Sequence, residues 1–141
     1  MQIHGACHCG KFRFTAEIDP ARVMACHCTD CQVRSGGPFR TVVATPIGRF
    51  HLQGQPKVYV KTAESGNRRA QAFCSDCGTP IDASAPENPT SVMIRLGCVD
   101  ERASLKPAVQ IWRHSAPPWL DDLADIPASP KQQAFLPAVG T

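Results

Sequence analysis

The sequence has little charge and lacks long apolar runs, and each shortage excludes a class of protein. Charged residues make up 19% of the 141 positions, too few for a coiled coil or a chain kept disordered by its charge. No apolar run approaches the ~18 residues of a membrane span. The start, Met1-Gln2-Ile3-His4-Gly5, has neither the basic region nor the apolar stretch of a secretory signal. Arg68-Arg69 is the only adjacent arginine pair, and no stripe of basic and aromatic residues appears, which disfavours a nucleic-acid role. These absences leave the expectation of a soluble, cytoplasmic chain with one hydrophobic core and no membrane partner.

Two residue types are abundant. Thirteen prolines and ten glycines, scattered along the chain, disfavour long helices. Eight cysteines are present, and seven fall in tight clusters: Cys7-His8-Cys9-Gly10, Cys26-His27-Cys28-Thr29-Asp30-Cys31 and Cys74-Ser75-Asp76-Cys77-Gly78, with Cys98 alone. Four disulfides suit a small secreted protein, and this start carries no export signal. In a reducing compartment such thiols stay free for a soft cation. Metal ligation is the stronger reading. If the seven bind two zinc ions as thiolates, the formal charge of +3 falls to zero and the apparent basicity vanishes.

Cys74-x-x-Cys77-Gly78 is a strong half-site, because the turn converges two sulfurs and the glycine supplies the backbone the turn needs. Cys7-x-Cys9-Gly10 is a tighter half-site of the same kind. Together they make a four-thiolate site, closed and structural. Cys26, Cys28 and Cys31 offer three thiolates with no fourth ligand adjacent, the usual plan of a catalytic zinc. His27, Cys98 or His114 could instead complete the tetrahedron, and the ligand count alone leaves both outcomes open.

The remaining pattern is β-rich. Alternation or β-forming composition marks strands at Gly10–Thr15, Phe39–Ala44, Phe50–Leu52, Lys57–Lys61, Arg69–Phe73, Ser91–Leu96 and Ala108–Trp112. Ser91–Leu96 reads as the central strand. The pair Phe50–Leu52 and Lys57–Lys61, joined through Gln53-Gly54-Gln55-Pro56, reads as antiparallel. Cys28–Arg34 has room for a helical turn or two, ended by Ser35-Gly36-Gly37-Pro38. Strands without intervening long helices imply antiparallel sheets rather than βαβ units.

Three segments together resemble one family: Gly5-Ala6-Cys7-His8-Cys9-Gly10 running into Phe12-Arg13-Phe14, the Cys26–Cys31 cluster followed by Gly36-Gly37-Pro38-Phe39, and Phe73-Cys74-Ser75-Asp76-Cys77-Gly78-Thr79-Pro80-Ile81. They are similar to the glutathione-dependent formaldehyde-activating enzymes, also called the centromere-protein-V domain. The likeness runs from about residue 3 to Trp119, through Gly97-Cys98-Val99-Asp100 and Ile111-Trp112. It implies a mainly β, Mss4-like fold of antiparallel sheets with zinc-binding loops, as a domain over residues 1–127 followed by a tail over 128–141. It also implies two Zn²⁺ per chain: a structural one on Cys7, Cys9, Cys74 and Cys77, and a catalytic one on Cys26, Cys28 and Cys31. The activity implied is a lyase-type carbon–sulfur reaction that joins formaldehyde to glutathione, or acts on a related small thiol or carbonyl substrate.

Contacts to a glutathione-like ligand are expected from Arg34 and Arg40 by charge and from Gly36 and Gly37 by backbone amides. Gln110 departs from the family, which commonly has histidine there, and this removes a polar candidate from the substrate side. Cys98 reads as a free, partly buried thiol, and Trp112 and Trp119 as core and edge packing. The alternative reading is a non-enzymatic zinc module that binds other proteins, since the fold does not fix the function.

Overall fold

Short strands are what the scattered prolines and glycines permit, and the computed structural model, which describes residues 1–132, contains ten of them. The first half holds β1 (Gln2–Ala6), β2 (Arg13–Glu17), β3 (Val23–Cys26), β4 (Arg40–Pro46) and β5 (Phe50–Leu52). The second half holds β6 (Lys57–Thr62), β7 (Arg68–Phe73), β8 (Pro80–Ser84), β9 (Ser91–Arg95) and β10 (Val109–Ile111). One α-helix, α1 (Thr29–Ser35), and several 3-10 turns complete the described chain. The fold is mainly β, of the Mss4-like kind, and no helix is long and apolar enough to cross a membrane.

The strands form two sheets. One is small, in the order β1-β2-β5, and the other is large, in the order β10-β3-β4-β9-β8-β7-β6. The core lies between them. Ile3, Phe12 and Phe14 from the small-sheet side join Val43, Ile81, Ile94, Leu96 and Val99, all buried. Alternation decides which residues enter it. On β9, Val92 and Ile94 face the core, and Met93 and Arg95 line a cavity on the opposite face. Gly5 is required by close packing: a Cβ there would sit 2.2 Å from the Phe14 ring and 2.7 Å from the Cys98 carbonyl oxygen.

Ser91–Arg95 is the middle strand of the large sheet, as its composition implies. Three expectations need correction. Phe50–Leu52 and Lys57–Thr62 are strands, but they do not pair with each other: β5 joins β2, and β6 joins β7. The link between them carries the chain from one sheet to the other, with Gln53 N donating to Arg13 O and Gly54 at φ +86 beneath Phe12. The sheets are not wholly antiparallel, because β10 runs parallel to β3 with Ile111 opposite Cys26. Trp112 is half-buried and borders the cavity rather than packing in the core, and Trp119 is 52% exposed on a run of 3-10 turns over Pro118–Asp125. Of the expected tail, residues 128–132 form no strand or helix, and residues 133–141, with Phe135 and Leu136, lie outside the described residues.

Asp82 sits on β8 opposite Ile94, on the core face, and is buried. Burial pushes its carboxyl up to about 6, against the opposing pull of Arg95. A carboxyl raised in the fold binds its proton more tightly there than in the unfolded chain, so its charged form destabilises the protein. This deficit grows from about pH 4 to about pH 6 and is then constant. Asp82→Asn is therefore expected to match the parent near pH 4 and to exceed it at pH 7 by on the order of 2 kcal/mol. Denaturant unfolding of both proteins across that range checks it. A constant difference at every pH would contradict the assignment.

Candidate functional site

The turn between β1 and β2 is closed by Gly10 N on Cys7 O at 2.9 Å, with Gly10 at φ +78. The turn between β7 and β8 repeats it: Gly78 N donates to Cys74 O at 2.8 Å, with Gly78 at φ +77. Only a glycine takes such a backbone without strain. Each turn thereby converges two sulfurs, and the four sulfurs of Cys7, Cys9, Cys74 and Cys77 lie within 4.8 Å of one another. Cys7–Cys9 is 3.6 Å and Cys9–Cys74 is 3.7 Å. Sulfurs ~2.3 Å from a tetrahedral ion stand about 3.8 Å apart, so the donor set fits such an ion.

Polar contacts bind the two turns together around this outer cluster. His8 N donates to Thr79 Oγ1 at 2.9 Å, and Lys11 Nζ pairs with Asp76 at 2.9 Å. Phe12 N donates to the Cys7 sulfur at 3.2 Å. At Cys77 the Thr79 hydroxyl and amide hold the thiol down to about 5, which favours the thiolate a metal requires.

The inner cluster is built differently. Cys26 ends β3, Cys28 caps α1, and Cys31 lies in the first turn of that helix. The cap converges the sulfurs: Cys31 N donates to the Cys28 sulfur at 3.3 Å, and all three sulfurs lie within 4.8 Å of one another. A hydrogen bond from the Cys31 thiol holds Cys26 down to about 5 against its burial, and Cys31, the donor, is pushed up.

None of the candidate fourth ligands joins these three. His27 is buried, but its Nε2 meets Gln110 Oε1 at 2.8 Å. Cys98 is a free thiol, buried to 9% exposure, gives its S–H to Arg95 O at 3.2 Å, and is pushed up to about 12 by burial. His114 is exposed beside Ser115. Among the described residues the inner cluster brings together three sulfurs that could hold a metal ion, and they border a cavity of about 290 Å³.

The cavity sorts the expected contact residues. Arg40 lines it and is buried. Arg34 does not line it: its guanidinium lies 5.6 Å from the Tyr59 ring centre and 5.3 Å from that of Phe73. Gly36 and Gly37 do not line it either, and their amides are already used. Gly36 N donates to Gln32 O at 3.0 Å as the left-handed cap of α1, and Gly37 N to Ser35 Oγ at 3.2 Å. Gln110 turns its side chain to His27 and does not line the cavity.

Sequence reasoning missed Arg95 and the role of Trp112. Arg95 is buried at the end of β9, and a charge on the non-core face of a central strand was the available signal. Trp112 borders the cavity in the left-handed region at φ 57, ψ 37, a conformation that a bulky side chain rarely adopts.

The model of the family described as glutathione-dependent formaldehyde-activating enzyme matches residues 2–115. The chain belongs to this family. The match spans both cysteine clusters and every strand described. No curated protein matches it. Among solved structures it is similar to that of a Rhodobacter sphaeroides protein, with TM-score 0.58 and 17% identity over 76% of this chain and 98% of that one. At that identity the likeness shows the fold alone. Glutathione-dependent formaldehyde activation is the chemistry the family name attaches to this arrangement, and the two cysteine clusters are suited to metal ions.

Proposed function

We propose that the protein is a zinc enzyme that acts at the inner cluster on a small thiol and a small carbonyl compound, with glutathione and formaldehyde as the reference pair. The observation that carries this reading is the set of three converging sulfurs at the edge of a cavity with no fourth protein ligand among the described residues. Zn²⁺ on Cys26, Cys28 and Cys31 would supply a soft cation with an exchangeable position, suited to binding a thiolate or polarising a carbonyl oxygen. A second Zn²⁺ on Cys7, Cys9, Cys74 and Cys77 would be structural.

The chain's own residues supply the rest. Cys28 and Cys31 are fixed by the helix cap, and the buried guanidinium of Arg40 stabilises negative charge on their side of the cavity. In the reference reaction the thiol sulfur bonds to the aldehyde carbon and the thiol proton ends on the former carbonyl oxygen. Nothing is oxidised or reduced. Three thiolates leave this site less electron-poor than one built from neutral histidines, which favours holding and orienting the reactants over making a zinc hydroxide.

The decisive experiment follows adduct formation from glutathione and formaldehyde with and without the zinc-loaded protein. The expected result is acceleration above the spontaneous rate, lost in Cys31→Ala. A rate that the protein leaves unchanged overturns the reference reaction. Four protein ligands at the inner site, seen by metal spectroscopy, would favour a non-enzymatic binding module.

A further inference from the structure

Arg40 and Arg95 bring more hydrogen-bond donors to the cavity than the protein answers, and the sheet register fixes their place. Arg40 on β4 is the cross-strand partner of Cys26, and Arg95 on β9 is the partner of Val42, two residues beyond Arg40. Alternation puts Cys26, Arg40, Val42 and Arg95 on one face, where cross-strand neighbours stand about 5 Å apart. Both guanidiniums line the cavity, yet Arg40 is only 6% and Arg95 only 7% exposed.

Each guanidinium carries five N–H donors. Among the described residues Arg95 donates to one acceptor, Gln71 Oε1 at 2.7 Å, and Arg40 to none. Arg40 Nη2 and Arg95 Nε are buried without a partner. Neither nearby carboxylate hydrogen-bonds to the two guanidiniums. Asp30, which also lines the cavity, is paired with Lys61, and Asp82 faces the core on the other side of the sheet.

The thiolates alone do not account for both cations. Three thiolates and one divalent ion sum to one negative charge, which a single arginine balances. The second buried guanidinium then has only the charge of Asp82 from the far face of the sheet, with no hydrogen bond to it, and its free donors favour an arriving anion. The planar fork of arginine matches the two oxygens of a carboxylate. The volume of about 290 Å³ lies at the small end for ligand pockets, so it favours a small acid.

We propose that Arg40 and Arg95 form a carboxylate subsite in the cavity, so that the molecule reacting at the inner cluster is a small organic acid with its carboxylate a few bonds from the thiol or carbonyl. The reacting end rests on the function proposed above, whereas the carboxylate subsite stands or falls by itself. Three probes separate the two: acetate, mercaptoacetate and the uncharged 2-mercaptoethanol, each titrated into zinc-loaded protein while the arginine side-chain N–H signals are followed by NMR.

The expected result is that acetate shifts the Arg40 and Arg95 signals. Mercaptoacetate should bind about tenfold or more tightly than 2-mercaptoethanol. Arg95→Gln should abolish that preference while zinc content and 2-mercaptoethanol affinity stay as in the parent. Should Arg95→Gln fail to fold, the comparison of acid with neutral thiol on the parent still decides. Acetate that moves neither signal overturns the subsite, and so does equal affinity of the parent for the two thiols. Acetate binding with neither thiol bound keeps the subsite and overturns the thiol reading.

Discussion

Replacing Cys74 by alanine is expected to remove the folded protein, while replacing Cys28 leaves it standing. Cys74 is fully buried, sits in the hydrophobic core cluster and supplies one of four converging sulfurs. Binding of a structural zinc is folding free energy on the order of 10 kcal/mol or more, as large as the whole net stability of a domain. The core is built from strands of three to seven residues and has little to spare. Cys28→Ala removes the cap of α1, which costs about 1 kcal/mol, together with the inner metal. Soluble yield, far-UV circular dichroism and zinc content of the two variants check this. Equal loss of soluble protein in both would contradict the division into a structural and a working site.

The second large effect is unequal release of metal. Fully loaded protein is expected to carry two zinc ions, and a chelator should take the inner one first. An ion at the outer cluster would be held by four sulfurs, whereas one on the inner three, which border the cavity, would keep a position for a competing ligand. Thiol titration during stripping should therefore count Cys26, Cys28 and Cys31 before Cys7, Cys9, Cys74 and Cys77. Cys98 should react last, on unfolding, because it is buried and its thiol is pushed up to about 12. If the outer four react first, the assignment of the sites is wrong.

Much of this was legible because cysteine spacing encodes local geometry. A Cys-x-x-Cys-Gly turn aims its sulfurs by its own backbone, so the grouping of seven cysteines into four and three needs no tertiary information. The strands that alternate, such as Ser91–Arg95, were equally plain. β1, β3 and β8 were not. β1 contains Gly5, β3 is four residues running into a ligand, and β8 opens on Pro80 and buries Asp82. Pairing partners were beyond reach for a different reason. β10 meets β3, and β5 leaves β6 for β2, through contacts that local pattern does not record. The cavity depends on the same long-range contacts. Arg95 joins Arg40 only because β9 lies against β4, and the glycines that seemed poised for a ligand spend their amides on ending α1.

The outer cluster joins sulfurs 65 residues apart, and that separation has a consequence for the protein as it is made. The first half-site leaves the ribosome complete, with Cys7 and Cys9 already in their tight turn. The second follows only after the intervening chain, which at 5–20 residues per second takes about 3–13 s. During that interval two sulfurs stand ready without their partners, open to oxidation or to a foreign soft cation. The first half-site is made early and completed late, so the nascent chain benefits from a reducing surrounding until the turn at Cys74 arrives to close the cluster.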